Sequence, residues 1–184
     1  MKKTLITVLV TVLVCCTAFG VTYAYLMDKT APIVNTFTVG DISITLAETG
    51  TDENNRTQSF KMVPGNEITK DPNVTVSADS ENCWLFVKVE ESNNPTKYLE
   101  YSIDSGWTPL EGKTGVYYRE IDTAEEKGIA LSVLTGDKVI VKSTLTKDDL
   151  ATAKNAQPQL TFTAYAVQKD NVDSVSAAWA NFES

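Results

Sequence analysis

The 184-residue sequence contains no histidine. Ser-His-Asp triads, Cys-His nucleophile pairs and the zinc-binding H-E-x-x-H motif are thereby excluded, because each needs an imidazole. A glycine-rich phosphate loop and the twelve-residue EF-hand loop are missing as well. We therefore predict that the chain is not an enzyme and holds no metal or other cofactor. Acidic residues at 52–54 and 170–173 leave a calcium site as the alternative.

Cysteine is scarce too. Two of the three cysteines, Cys15 and Cys16, lie in an apolar N-terminal stretch. Once that stretch is removed, Cys83 has no partner for an intramolecular disulfide. Because Cys83 precedes Trp84 in an apolar segment, we predict a small buried hydrophobe. A reactive or intermolecular thiol is the alternative.

Basic residues are also few. Lysine and arginine total 16 against 24 aspartates and glutamates, which gives a formal net charge of -8. No cluster of basic residues is present to neutralise phosphates, so nucleic acid is excluded as a partner. An acidic surface instead favours the solubility of a secreted protein.

The N-terminus carries a basic pair followed by a long uncharged stretch. Lys2 and Lys3 precede residues 4–27, which contain no charged side chain. This order is typical of a secretory signal peptide, and we predict one over residues 1–24, as an N-terminal signal helix. The stretch is also long enough to span a bilayer, so a retained membrane anchor is the alternative. A lipid-modified cysteine is a third, poorer fit.

Small residues close the uncharged stretch. Ala24 suits the position before the cleaved bond and Thr22 lies two residues upstream, so Tyr25 is predicted as the first mature residue. The chain would contact the membrane only before this cleavage. The mature protein is expected outside the cell, in the extracellular matrix or at the cell surface.

Residues 25–35 belong neither to the leader nor to a regular strand. Pro32 removes a hydrogen-bond donor, which excludes a central strand. Leu26, Ile33 and Val34 supply apolar side chains among polar ones. We predict an extended arm that pairs along a sheet edge.

From residue 36 to residue 184 the pattern indicates one β-rich domain. Apolar and polar residues alternate in short segments separated by turn residues, which is typical of an antiparallel sandwich or barrel. In the predicted central strand, residues 83–90, Leu85, Val87 and Val89 share one face, and Trp84 and Phe86 lie on the other. Alternation from Phe37 to Leu46 predicts a first β segment, with a bulge or bend at Gly40-Asp41 where the parity changes. The other predicted strands are 59–63, 73–78, 98–103, 116–121, 129–134, 139–143 and 159–168.

One or two short helices complete the prediction. Thr146 and Asp149 form a capping-box pattern at the start of a helix that Pro158 ends. A second short helix is predicted within residues 172–182, with a final strand as the alternative.

Several motifs resemble one family. Residues 20–26 (GVTYAYL) and 35–42 (NTFTVGDI) resemble the N-terminal signature of the TasA/camelysin (CalY) family of Gram-positive biofilm-matrix and cell-surface proteins, which a SipW-type signal peptidase processes. Weaker matches cover much of the chain: 62–65 (MVPG), 68–72 (ITKDP), 84–89 (WLFVKV) and 162–168 (FTAYAVQ).

The resemblance implies a jelly-roll sandwich that assembles into extracellular fibres. It implies self-association through a donor strand at residues 25–35, with Leu26, Ile33 and Val34 filling the groove of the next subunit. The SipW-type peptidase is the second implied partner, and an accessory matrix protein is left open. Part of the family is classed as metallopeptidase, but no catalytic residue is carried over to this chain. A non-assembling surface binding module is the alternative function, and a camelysin-like metallopeptidase is a poorer alternative.

Overall fold

The computed structural model describes residues 40–52 and 55–183, which form ten strands, two α-helices and three 3₁₀ turns. The strands are β1 Ile44–Ala47, β2 Glu67–Thr69, β3 Asn73–Val76, β4 Cys83–Ser92, β5 Leu99–Glu100, β6 Thr108–Pro109, β7 Val116–Ile121, β8 Leu131–Ser132, β9 Lys138–Val141 and β10 Gln159–Gln168. The helices are α1 Lys147–Ala156 and α2 Val175–Ala180, and the 3₁₀ turns are Pro95–Lys97, Ala124–Glu126 and Thr135–Asp137. The predicted all-β class with short helices is confirmed.

The strands form three sheets in which every pairing is antiparallel. The first sheet has the order β1-β3-β8, the second β10-β4-β7-β6 and the third β2-β9-β5. β4 and β10 are the longest strands, and their register joins Cys83 to Gln168 and Ser92 to Gln159 without a break. β4 is central in the second sheet, as predicted, whereas β10 is an edge strand.

An inner core lies between the first and second sheets. Alternate residues of β4 point into it, and Leu85 and Val87 are fully buried there. Val74 and Val76 of β3 are buried in the same core. Burying each such side chain contributes about 1.5–3 kcal/mol to folding.

The opposite face of β4 carries an outer aromatic cluster. Trp84 and Phe86 pack there beside Tyr165 and beneath Trp179 of α2, with ring centroids 5.3 Å apart for both Phe86–Trp179 and Tyr165–Trp179. Trp179 Nε1 donates a hydrogen bond to Glu183, which fixes the end of the chain over the sheet. The predicted division of β4 into two apolar faces is therefore confirmed.

Local sequence explains where α1 begins and ends. The Thr146 side chain accepts a hydrogen bond from the Asp149 amide at 3.2 Å, and the Asp149 carboxylate accepts one from the Thr146 amide at 3.0 Å. Gln157 adopts a left-handed conformation after the last turn, and Pro158 follows it. The predicted capping box is confirmed.

Some predicted strands are wrong or too long. Residues 59–63 contain no strand, and the segments predicted at 98–103 and 129–134 are reduced to two-residue strands. β2 and β6 were not predicted. Each is only two or three residues long, so alternation is too brief to reveal it.

No helix in residues 40–52 and 55–183 has the length and apolarity needed to cross a membrane. The predicted signal peptide, its cleavage site and the arm all precede Gly40 and lie outside the described residues.

Candidate functional site: an open sheet edge and its groove

The residues predicted to act in processing and strand donation all lie outside the part of the chain that the structure describes. These residues are Thr22, Ala24, Tyr25, Leu26, Ile33 and Val34. The described residues therefore bear on the other half of the hypothesis, a surface that could accept a strand.

β10 presents such a surface. It pairs with β4 along one side, and its other side makes no backbone hydrogen bond to any residue that the structure describes. In an antiparallel edge strand, alternate residues point their N–H and C=O groups away from the sheet. As far as the described residues go, this side of β10 offers an unpaired edge of ten residues without a charge, a proline or a glycine.

The inner core is incompletely closed beside this edge. Phe162, Ala164 and Ala166 of β10 pack against the inner core but are only half-buried, and so are Ile44 and Leu46 of β1. The β3 and β4 residues that face the same core are buried. The core is thus only partly covered along the edge strands β1 and β10.

A groove of about 810 Å³ continues from the first half of β10. Its walls come from four parts of the chain: the end of β1 and the residues after it, residues 56–62, the third sheet, and the last turn of α1. Apolar side chains line much of it, and these are Leu46, Phe60, Met62, Ile68, Leu99, Val139, Leu160 and Phe162. A groove that offers both apolar and polar side chains beside an open strand suits an extended peptide.

A buried ion pair lies in the groove wall. Lys70 Nζ is 2.6 Å from Glu48 Oε2, and the two side chains are only 14% and 12% exposed. The Lys70 ammonium also lies 5.6 Å from the ring centroids of both Phe60 and Phe162. This position between two aromatic faces is favourable for a cation.

The ion pair is incompletely satisfied. Glu48 Oε1 is buried and has no hydrogen-bond partner among the described residues. A buried acceptor without a donor costs about 1–3 kcal/mol. An incoming group with an N–H would therefore gain from this site.

The described residues give little support to the alternatives of a reactive thiol and a calcium site. Cys83 is fully buried in the inner core, as predicted, and burial raises the pKa of its thiol to about 11. Trp107 is also buried, and its Nε1 donates to the Ser132 carbonyl at 2.7 Å. Within residues 40–52 and 55–183, no group of three or more His, Cys, Asp and Glu side chains is placed to hold a metal ion.

The carboxylates of Glu126 and Glu91 have hydrogen-bond partners within the fold. Glu126 accepts hydrogen bonds from the backbone amides of Asp122 and Thr123, which lowers the pKa of its carboxyl group. Glu91 pairs with the Tyr101 hydroxyl. Burial and this hydrogen bond raise the pKa of Tyr101, so its hydroxyl stays neutral at physiological pH.

Sequence analysis did not single out the groove residues Glu48, Phe60 or Lys70. The two members of the ion pair are 22 residues apart, and no motif links them. One signal was present for β10: a ten-residue alternating segment with no charge lacks the usual protection of a sheet edge.

No protein-family model matches the chain, and no curated protein or solved structure is significantly similar to it. The open edge and the groove are therefore the features of the molecule that bear on its function.

Proposed function

We propose that the chain is a secreted structural subunit of an extracellular or biofilm-matrix fibre. Residues 25–35 of one subunit add as a strand to the free side of β10 in the next. The observation that carries this proposal is the ten-residue, uncharged edge of β10 beside a half-covered inner core.

The lengths of the two segments support this pairing. The arm has eleven residues if the leader ends at Ala24, and β10 has ten. Extended strands rise about 3.3 Å per residue, so the two segments match to within one residue. Pro32 is compatible with the role, because an added strand becomes the new edge and its outward side needs no donor.

The apolar side chains of the arm match the chemistry of the acceptor. Leu26, Ile33 and Val34 would cover the half-buried inner residues of β10 and β1 and extend into the groove. Because the donor and acceptor surfaces differ, each added subunit presents a fresh acceptor edge. Head-to-tail association of this kind gives filaments rather than closed dimers.

The leader fits the same scheme. A signal helix over residues 1–24, cut between Ala24 and Tyr25 by a SipW-type signal peptidase, would free the arm only after export. Assembly would then take place outside the cell, at the surface or in the matrix. In this proposal the chain is neither an enzyme nor dependent on a cofactor.

The finer description of the fold belongs to the proposal as well. The facing of the first and second sheets across the inner core supports a jelly-roll-like sandwich, since that architecture packs two antiparallel sheets face to face. The motif resemblance to the TasA/camelysin family points the same way.

Removing the arm tests the proposal. The secreted chain should form fibres visible by negative-stain electron microscopy, whereas a variant lacking residues 25–35 should elute as a monomer in size-exclusion chromatography. A double variant, Asp28→Asn with Lys29→Gln, keeps the length and apolar residues of the arm and should still polymerise. Undiminished fibres without residues 25–35 would refute strand donation.

The groove also favours a second candidate function, a surface module that binds an extended peptide from another protein. That module would remain monomeric with its arm intact. N-terminal sequencing of the secreted protein, followed by sizing, separates the two candidates.

A further inference from the structure

Residues 56–62, here called the strap, form one wall of the groove without belonging to a sheet. No backbone hydrogen bond joins the strap to any other residue that the structure describes. The chain is anchored again just beyond it, where the Gly65 amide donates to the Val141 carbonyl at 2.9 Å. Within the described residues, the strap therefore lines the groove without a backbone partner and is followed by an anchored residue.

Few side-chain contacts hold the strap in place. Gln58 Nε2 donates to the Thr49 carbonyl at 2.5 Å, and the Phe60 ring lies beside the Lys70 ammonium. Phe60 is nevertheless 44% exposed. Segments with few buried contacts and no hydrogen-bonded ladder open at low cost in free energy.

The strap covers the part of the groove where a ligand would form the most favourable contacts. Phe60 and Phe162 flank the Glu48–Lys70 ion pair, and Glu48 Oε1 lacks a donor in this arrangement. Moving Phe60 aside would uncover the ion pair beside the first residues of β10. A strand laid along β10 would bring backbone N–H groups and an apolar side chain to the same place.

We propose that the strap is a displaceable cover of the acceptor groove, and that an incoming strand takes the place of Phe60 beside the Glu48–Lys70 ion pair. The inference rests on the proposed function for the identity of that strand. Opening of the strap itself does not depend on it and is measured separately.

Limited proteolysis with trypsin reports this opening, because Arg56 and Lys61 both lie in the strap. Native-state cleavage follows the population of the open form when opening and closing are fast. Phe60→Ala removes a cation–π contact worth about 0.5–1 kcal/mol at an exposed site, so cleavage after these two residues should be about two- to fivefold faster. Phe60→Trp should slow it.

Val63→Ala is the matched control. Val63 is also an exposed apolar side chain, at 38%, but it does not line the groove, so its loss should leave strap cleavage unchanged. Cleavage after Lys88, in the central strand β4, reports opening of the whole domain. The inference would be overturned if Phe60→Ala left the rate of strap cleavage unchanged. It would also be overturned if cleavage after Lys88 became faster by the same factor.

A synthetic peptide of residues 25–35 tests the exchange. Added to the purified chain, it should accelerate cleavage after Arg56 and Lys61, because it displaces the strap, whereas a scrambled peptide should not. If Phe60→Ala accelerates strap cleavage but the peptide does not, the result supports a mobile cover and counts against strand addition at this groove. If Phe60→Ala does not change strap cleavage but deletion of residues 25–35 still abolishes fibres, the displaceable cover is wrong and the proposed function stands.

Discussion

At the scale of single residues, Cys83 shows how burial alone changes chemistry. Its side chain is fully buried in the inner core. Burial is the main reason that the thiol pKa rises from an ordinary 9.0 to about 11, with Lys127 opposing the rise and Asp122 adding to it. The thiol is therefore neutral and shielded under physiological conditions.

This shift predicts an alkaline loss of stability. From about pH 9 to about pH 11 the unfolded chain has released the Cys83 proton while the folded chain retains it. The unfolded state then binds fewer protons, so the free energy of unfolding falls as the pH rises through this window. Urea denaturation across the window should give a steeper fall for the natural chain than for Cys83→Ala, in which the other titrating groups are unchanged. Parallel curves would contradict the assignment.

At the scale of elements, β10 differs from the other edge strands. β6 is two residues long and contains Pro109, β8 is also two residues long, and β1 has only four residues. Short edges and proline limit pairing with another chain. β10 has neither form of protection, which makes it the edge best suited to accept a strand.

A lysine that points inward from β10 should block strand addition. Ala164 faces the inner core and is half-buried, so the stem of a lysine there can reach solvent only through the space that a donor strand would fill. We expect Ala164→Lys to cost about 1–2 kcal/mol in the free energy of unfolding and to abolish fibres. Ala180→Lys, the same change at an exposed position of α2, should still form them. Electron microscopy and urea denaturation together provide the check.

The elements that sequence predicted well are those whose signals are local. β10 alternates over most of its ten residues, β4 begins with an uninterrupted apolar run, and Thr146 with Asp149 marks the start of α1. Residues 59–62 also alternate, with Phe60 and Met62 separated by Lys61, yet residues 59–63 form no strand. A strand needs a partner as well as a pattern, and the presence of that partner is a tertiary property.

The groove was out of reach of sequence analysis for a related reason. Phe60 and Phe162, which flank Lys70, are about a hundred positions apart in the sequence. The Glu48–Lys70 pair looks like any two surface charges until the fold buries it. Only the uncharged character of β10 was visible in advance.

At the scale of the whole molecule, charge opposes the proposed assembly. The sequence carries a formal net charge of -8, so neighbouring subunits repel one another. The proposed contact between arm and acceptor is made of backbone hydrogen bonds and apolar side chains, which salt does not weaken. Electrostatics therefore enters mainly as a barrier to the approach of two subunits.

Fibre growth should consequently be faster at higher ionic strength. The screening length falls from about 30 Å at 10 mM salt to about 8 Å at 150 mM, which reduces the repulsion between subunits. Light scattering of the purified secreted chain should show a shorter lag at the higher concentration. The variant lacking residues 25–35 should not scatter at either. Slower growth in salt would indicate that ion pairs between subunits, rather than a donated strand, hold the fibre.

The uninterrupted register between β10 and β4 also has a mechanical meaning. Ten consecutive residue pairs join the two strands. A pull along the strand axis loads their hydrogen bonds in shear, so that they must fail together, whereas a pull across the strands would unzip them one at a time. Tension transmitted through β10 would therefore enter the subunit in its most resistant direction and pass to the strand at the centre of the sheet.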